Sequence, residues 1–237
     1  MIFFVHFVWF IVHCFVFLPR QFINRFYMRR LLFVWFFSGW ITGGIAQKIE
    51  EMFIKMPDEL IVQLEEAWRK DLVGLYKAGK SATLENTMLG KSTLEKLTDN
   101  YLLLQLTKHS VVEMKLLPLV NNTHIICMIT TVSAPVADSH VSFYTTEWQP
   151  LPAAQLYDPV TEEWFWKEDI DRSSHQFMDA RALLNIFLFK YSLSPDAPTL
   201  TCEYMTPAWL DEESRAIVMP FLKESPKKYE WKMNRFE

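Results

Sequence analysis

Glycine is scarce in this 237-residue chain. Of its six glycines only Gly74, Gly79 and Gly90 lie beyond residue 46, and none follows residue 90. Phosphate-cradling loops and dinucleotide-binding turns need glycine where backbone approaches a phosphate. Both are excluded, as is the glycine-flanked serine elbow of hydrolases. Runs of basic residues are also missing. Lys227-Lys228 is a lone pair of charges, and residues 47–237 carry 20 Lys/Arg against 28 Asp/Glu, a net charge of −8. That balance argues against nucleic acid and against anionic membrane surfaces as partners. His109, His124, His140 and His175 form no His-Glu-x-x-His or His-x-His arrangement, so neither a zinc site nor any other cofactor has support.

What is present begins with an apolar leader. Residues 28–47 read as a secretory signal peptide starting at an internal methionine: Arg29-Arg30 form the positive n-region, an apolar h-region follows, and Gly44-Ile45-Ala46 supplies the small residues before a cut at Gln47. Residues 1–18 are uncharged and apolar, near the roughly 18–20 residues that span a bilayer. Residues 1–27 are read as mis-assigned upstream translation or as an additional N-terminal hydrophobic segment. Cys14 follows Val12-His13, which lacks the small residues of a lipid-attachment site. The charges of this region, Arg20, Arg25, Arg29 and Arg30, all lie between the two apolar runs and hold that segment inside. The expectation is an exported protein, periplasmic or at the outer surface, contacting membrane only through the N-terminal segment if it is uncleaved.

The remaining 191 residues suffice to bury about 70% of their unfolded surface. A short helix is expected around 48–55. Ile61, Leu64, Trp68, Leu72 and Leu75 then recur at helical spacing, with Pro57-Asp58 as a start and Gly79 as a stop. Short β-rich segments follow at 83–88, 93–97, 101–107, 111–117, 124–131 and 141–146, with Asn121-Asn122 marking a turn. Helical stretches are expected near 161–167 and 178–185, strands at 187–193 and 199–205, and a helix opening at Thr206-Pro207. Residues 229–235 alternate, placing Tyr229, Trp231 and Met233 on one face. The order predicts an α+β fold of two consecutive units, 47–150 and 151–237, each with helices on one face of an antiparallel sheet. Cys127 and Cys202 sit mid-strand, where free cysteine behaves as a small buried hydrophobe, although an oxidising compartment permits a disulfide.

The aromatic-acidic run at 162–171 is the strongest candidate surface. Trp164 and Trp166, with Trp148, offer faces for a peptide or sugar, and Glu162 and Asp169 offer acceptors. The bland alternative is an amphipathic helix with its aromatics buried; Trp164 and Trp166 cannot share a helix face, so one is expected outside. The acids lack the spacing and turn glycine of a calcium loop.

Several segments together resemble an uncharacterised family of exported proteins from Bacteroidales, a domain of unknown function. These are Met56-Pro57-Asp58-Glu59-Leu60, Arg69-Lys70-Asp71-Leu72, Leu97-Thr98-Asp99-Asn100-Tyr101-Leu102, Val141-Ser142-Phe143-Tyr144-Thr145-Thr146-Glu147-Trp148 and Lys190-Tyr191-Ser192-Leu193-Ser194-Pro195-Asp196. The resemblance spans nearly all of 47–237 and implies compartment and lineage but no chemistry. It also implies cysteines around the loop at 133–138, where this chain has Ser133 and Ala137, so a loop-stapling disulfide is absent. The leading expectation is a non-enzymatic binding or envelope-associated module whose partner is a protein, peptide or glycan of the cell envelope. The alternatives are a periplasmic hydrolase or metal-dependent enzyme whose residues converge only in three dimensions, and an inhibitor of an exported enzyme.

Overall fold

Strands alternating apolar and polar residues dominate the chain from residue 83 onward, and they assemble into two antiparallel sheets. The fold is a computed structural model that describes residues 48–237; the leader and the segment before it lie outside the described residues. The first sheet is a seven-stranded meander in sequence order: β1 (Thr83–Glu85), β2 (Lys91–Leu97), β3 (Tyr101–Thr107), β4 (Ser110–Pro118), β5 (His124–Ser133), β6 (Ala137–Thr145) and β7 (Pro150–Leu151). The second is four-stranded, in the order β11 (Arg235–Phe236), β10 (Lys227–Lys232), β9 (Thr199–Tyr204), β8 (Phe189–Leu193). The fold is therefore α+β, and from residue 47 onward the chain gathers into one unit.

The first sheet buries both faces, which is why its central strands are apolar at nearly every position. Leu102, Leu104, Val112, Met114, Leu116 and Ile126 face a layer made by α1 (Ile49–Ile54) and α2 (Glu66–Lys77), which contribute Ile49, Phe53 and Leu72. Tyr101, Leu117, Ile125, Cys127, Ile129 and Phe143 share the other core with Tyr191, Leu193, Leu200, Cys202, Tyr229 and Trp231 of the second sheet. The helices α3 (His175–Ala182) and α5 (Glu212–Val218) add Phe177, Ala180 and Val218 to that core; α4 (Thr206–Trp209) opens on Thr206-Pro207 as the sequence predicts.

Three local expectations are corrected. The stripe beginning at Ile61 is not helical from Pro57: that proline starts a single 3-10 turn, Asp58–Leu60, and α2 begins only after Glu65. The buried Arg69 guanidinium accounts for this. It donates to the carbonyls of Ile54, Met56 and Leu64 and to the Asp58 carboxylate at 2.8 Å, which holds the intervening chain in an irregular loop. Residues 161–167 form a 3-10 turn, Glu162–Phe165, followed by extended backbone at Trp166, and the third helix starts earlier than expected because the Ser174 side chain caps it. Finally, β10 ends at Lys232. Met233 and Asn234 take consecutive positive φ angles of 47° and 71°, the geometry of a two-residue hairpin turn, and leave Met233 89% exposed instead of sharing a face with Tyr229 and Trp231.

Polar side chains join the two sheets. Glu113, on the inward face of β4, accepts from the Tyr101 hydroxyl (3.1 Å) and from the Leu193 amide (2.9 Å). Two residues on, Lys115 is 1% exposed and donates through Nζ to the carbonyls of Ser194 (2.7 Å) and Pro195 (3.0 Å) at the β8–β9 turn. Asp138 and Ser139 of β6 accept from the amides of Phe189 and Tyr191. Burial pushes the Glu113 carboxyl above its ordinary range and the Lys115 ammonium below its own. Cys127 and Cys202 are free and buried in the same core; burial raises both thiols, Cys202 to about 12.

A carboxyl whose folded pKa is raised contributes stability that is full below the unfolded value of 4.5 and is lost as pH rises through the folded one. Glu113→Gln keeps an acceptor for Leu193 and removes the titrating carboxyl, so urea midpoints should show a smaller loss between pH 4.5 and pH 7.5 in the variant than in the parent. The same pH dependence in both would refute the assignment. Arg69→Lys cannot reproduce the forked donor set, and calorimetry should show a loss of about 3 kcal/mol; a loss below about 0.5 kcal/mol would mean the loop is held by other contacts.

Candidate functional site

Three consecutive residues set the geometry of the candidate site. The 3-10 turn at Glu162–Phe165 is closed by the bond from Trp164 N to Thr161 O (3.2 Å), and its exit is pinned by two further backbone bonds, Lys167 N to Phe221 O (2.9 Å) and Lys223 N to Phe165 O (2.7 Å). The turn sends the three aromatics in different directions. Trp166 goes into the core, 1% exposed, edge-on to Phe177 at 5.0 Å. Phe165 stacks on Tyr204 (5.1 Å) and Phe189 (6.0 Å), forming an aromatic slab at the end of the second sheet. Trp164 remains half-buried at the surface, held edge-on by Phe165 at 4.9 Å.

Two adjoining cavities flank this turn. One, of about 440 Å³, is lined by Phe165, Glu203, Tyr204, Pro207, Arg215, Met219 and Leu222, among others. The other, of about 480 Å³, is lined by Asp158, Val160, Thr161, Trp164, Lys227, Tyr229 and Arg235, among others. The Trp164 ring carries Lys223 Nζ at 4.9 Å and Lys227 Nζ at 5.5 Å from its centroid, and Lys227 also lies 5.1 Å from the Tyr229 ring. Such cation–π contacts order the lysine heads at a partly dry surface. Lys223 is further paired with Glu168 at 3.2 Å and Arg235 with Asp158 at 2.8 Å.

The sequence-derived cluster is dispersed. Trp148 sits on the helix side of the first sheet, 8% exposed, with Nε1 donating to Met52 O (3.1 Å) and its ring against Tyr144. With Trp148 and Trp166 in separate cores, an exposed surface uniting them with Trp164 is not formed: each indole is worth more as buried area than as a platform. Glu162 is half-buried and Asp169 exposed, and neither lines either of these two cavities. Trp164 alone stays at the site. Of the residues that join it, the sequence marks Lys227 only as part of a lone charge pair and Tyr229 only as a strand residue, and gives Lys223 and Arg235 no role. One signal was available: Lys227 occupies an inward position of β10, on the same face as Tyr229 and Trp231, where an apolar residue is the norm.

Neither cysteine is an activated nucleophile. Both cysteines are buried with raised thiol pKa values, the opposite of a reactive thiolate. Among the described residues, no hydrogen bond joins any two of Glu162, Glu163, Asp169, His140 and His175; Glu163 instead pairs with Arg172 and Arg181. No group of three or more His, Cys, Asp or Glu side chains among them is arranged to hold a metal ion.

Comparison with known proteins agrees with the resemblance read from the sequence. Residues 41–236 match the model of a family described as "Protein of unknown function (DUF3256)". Among solved structures, the chain is similar to a domain of an uncharacterized protein from Porphyromonas gingivalis W83, a member of the Bacteroidales. The identity is 31%, the match covers 81% of this chain and 99% of that one, and the TM-score is 0.74. No curated protein matches the chain. With the family model spanning most of its length and a solved relative sharing its fold, this chain belongs to the DUF3256 family.

Proposed function

We propose that residues 47–237 are the binding module of an exported protein and engage a protein, peptide or glycan of the cell envelope through the trough at Trp164. The observation that carries this reading is the convergence of a half-buried tryptophan, two ring-bound lysines and two adjoining cavities on one surface, built on the rigid end of the second sheet. Concave, mostly apolar sites with a few placed polar groups are where proteins bind ligands. The leader at 28–46 supports export. No helix among the described residues is long and apolar enough to cross a membrane.

The test is affinity capture with tagged 47–237 from envelope extract of the source organism, run beside Trp164→Ala and Lys227→Gln. The expected outcome is a stoichiometric partner retained by the parent and depleted at least tenfold by both variants, whose melting curves match the parent. Equal retention by the variants would contradict the placement of the site.

A further inference from the structure

The first described residues of this chain are fastened to the core, and they follow directly on the cut expected after Ala46. That cut makes Gln47 the N-terminal residue of the exported chain. Lys48, next in line, pairs through Nζ with Asp99 Oδ1 at 3.3 Å, and its carbonyl accepts from the amides of Glu51 and Met52. Ile49 donates its amide to Asp99 O at 3.0 Å, and its side chain is fully buried in the helix-side core with Phe53 and Leu72. Chain termini tolerate trimming when they are not tied down; this one is tied down from its second residue. An exopeptidase working inward from Gln47 would break the Lys48–Asp99 pair at its second step and remove a core side chain at its third.

The residue left at that end has the chemistry to close it. We infer that Gln47, once it is the N-terminus, is converted to pyroglutamate. Its α-amine nitrogen attacks its own side-chain Cδ, the new N–Cδ bond closes a five-membered lactam, and the Cδ–Nε2 bond breaks. Ammonia leaves with the proton that the amine gives up. The step is redox-neutral and consumes no co-reactant, and an α-amine titrates close enough to neutral pH for part of it to be the free nucleophile there. The product lacks both the terminal charge and the free amine that aminopeptidases require, so the Lys48 and Ile49 attachments are shielded from trimming. The inference rests on the export reading and is independent of the trough at Trp164.

The experiment takes the full chain, leader included, exported by its source organism, and reads the N-terminus of the freshly purified protein by intact mass and tandem mass spectrometry. The expected result is a chain that begins at residue 47, is lighter by one ammonia than its sequence requires, and yields to Edman degradation only after treatment with pyroglutamyl peptidase. A Gln47→Ser variant exported in the same way should carry a free amine and be shortened by added aminopeptidase, with loss of the Lys48–Asp99 pair and a lower melting temperature, whereas the parent stays full length. A chain that begins at residue 47 with a free amine overturns the inference and leaves export intact. A chain that begins anywhere else overturns both, and equal shortening of parent and variant overturns the protective role.

Discussion

Among the described residues no strand pairs with the outer edge of β8, and an edge left open presents a row of unpaired amides to any passing chain. In this protein the first sheet supplies the missing acceptors as side chains. Phe189 N meets Asp138 Oδ1 at 3.1 Å, Tyr191 N meets Ser139 Oγ at 3.0 Å, and Leu193 N meets Glu113 Oε2 at 2.9 Å. The three donors are alternate residues, the set that a strand turns away from its partner β9. Ser139 Oγ is itself bonded to Thr131 Oγ1 at 2.8 Å, so its lone pair is aimed before β8 arrives. Lys115 closes the arrangement by holding the carbonyls at the following turn. These contacts fix the register of the second sheet against the first, and an apolar interface alone would not: a shift of β8 by one residue would strand two buried charged groups.

The site inherits its geometry from that docking. Once β8 is placed, hydrogen bonding sets β9 and β10, and these carry Tyr204, Lys227 and Tyr229 to the trough. The aromatic slab of Phe165, Phe189 and Tyr204 ties the turn bearing Trp164 to the same end of the sheet. The binding surface thus stands on strands and a tightly bonded turn, an arrangement that limits the conformational entropy lost when a ligand is engaged.

Much of the fold was legible in the sequence because its physical causes are local. Short β-rich runs punctuated by Asn121-Asn122 or by the Ser194-to-Pro198 segment announce strands and turns. What escaped notice depends on contacts distant in sequence. The helical spacing from Ile61 to Leu75 is genuine burial, but Arg69 satisfies the loop carbonyls and so removes the need for helix before Glu65. Glycine scarcity misled in a subtler way, because it hides turns: Leu89, Trp148, Met233 and Asn234 all adopt positive φ without it. For Trp148 the strain is offset by burial of the ring and by its bond to Met52. At the site, the tryptophan run pointed to Trp164 by composition, whereas the cations beside it come from 59 or more residues downstream and converge only through the β10–β11 hairpin and the strap that precedes it.

The claim on which the account depends most is that side chains of the first sheet occupy the free-edge amides of β8. Native-state hydrogen exchange measures this directly at Phe189, Tyr191 and Leu193. The account predicts protection of all three amides comparable to that of the central strand β5, with Asp138→Ala accelerating Phe189 and leaving Leu193 protected. Exchange at all three as fast as at an unpaired, solvated edge strand would contradict it.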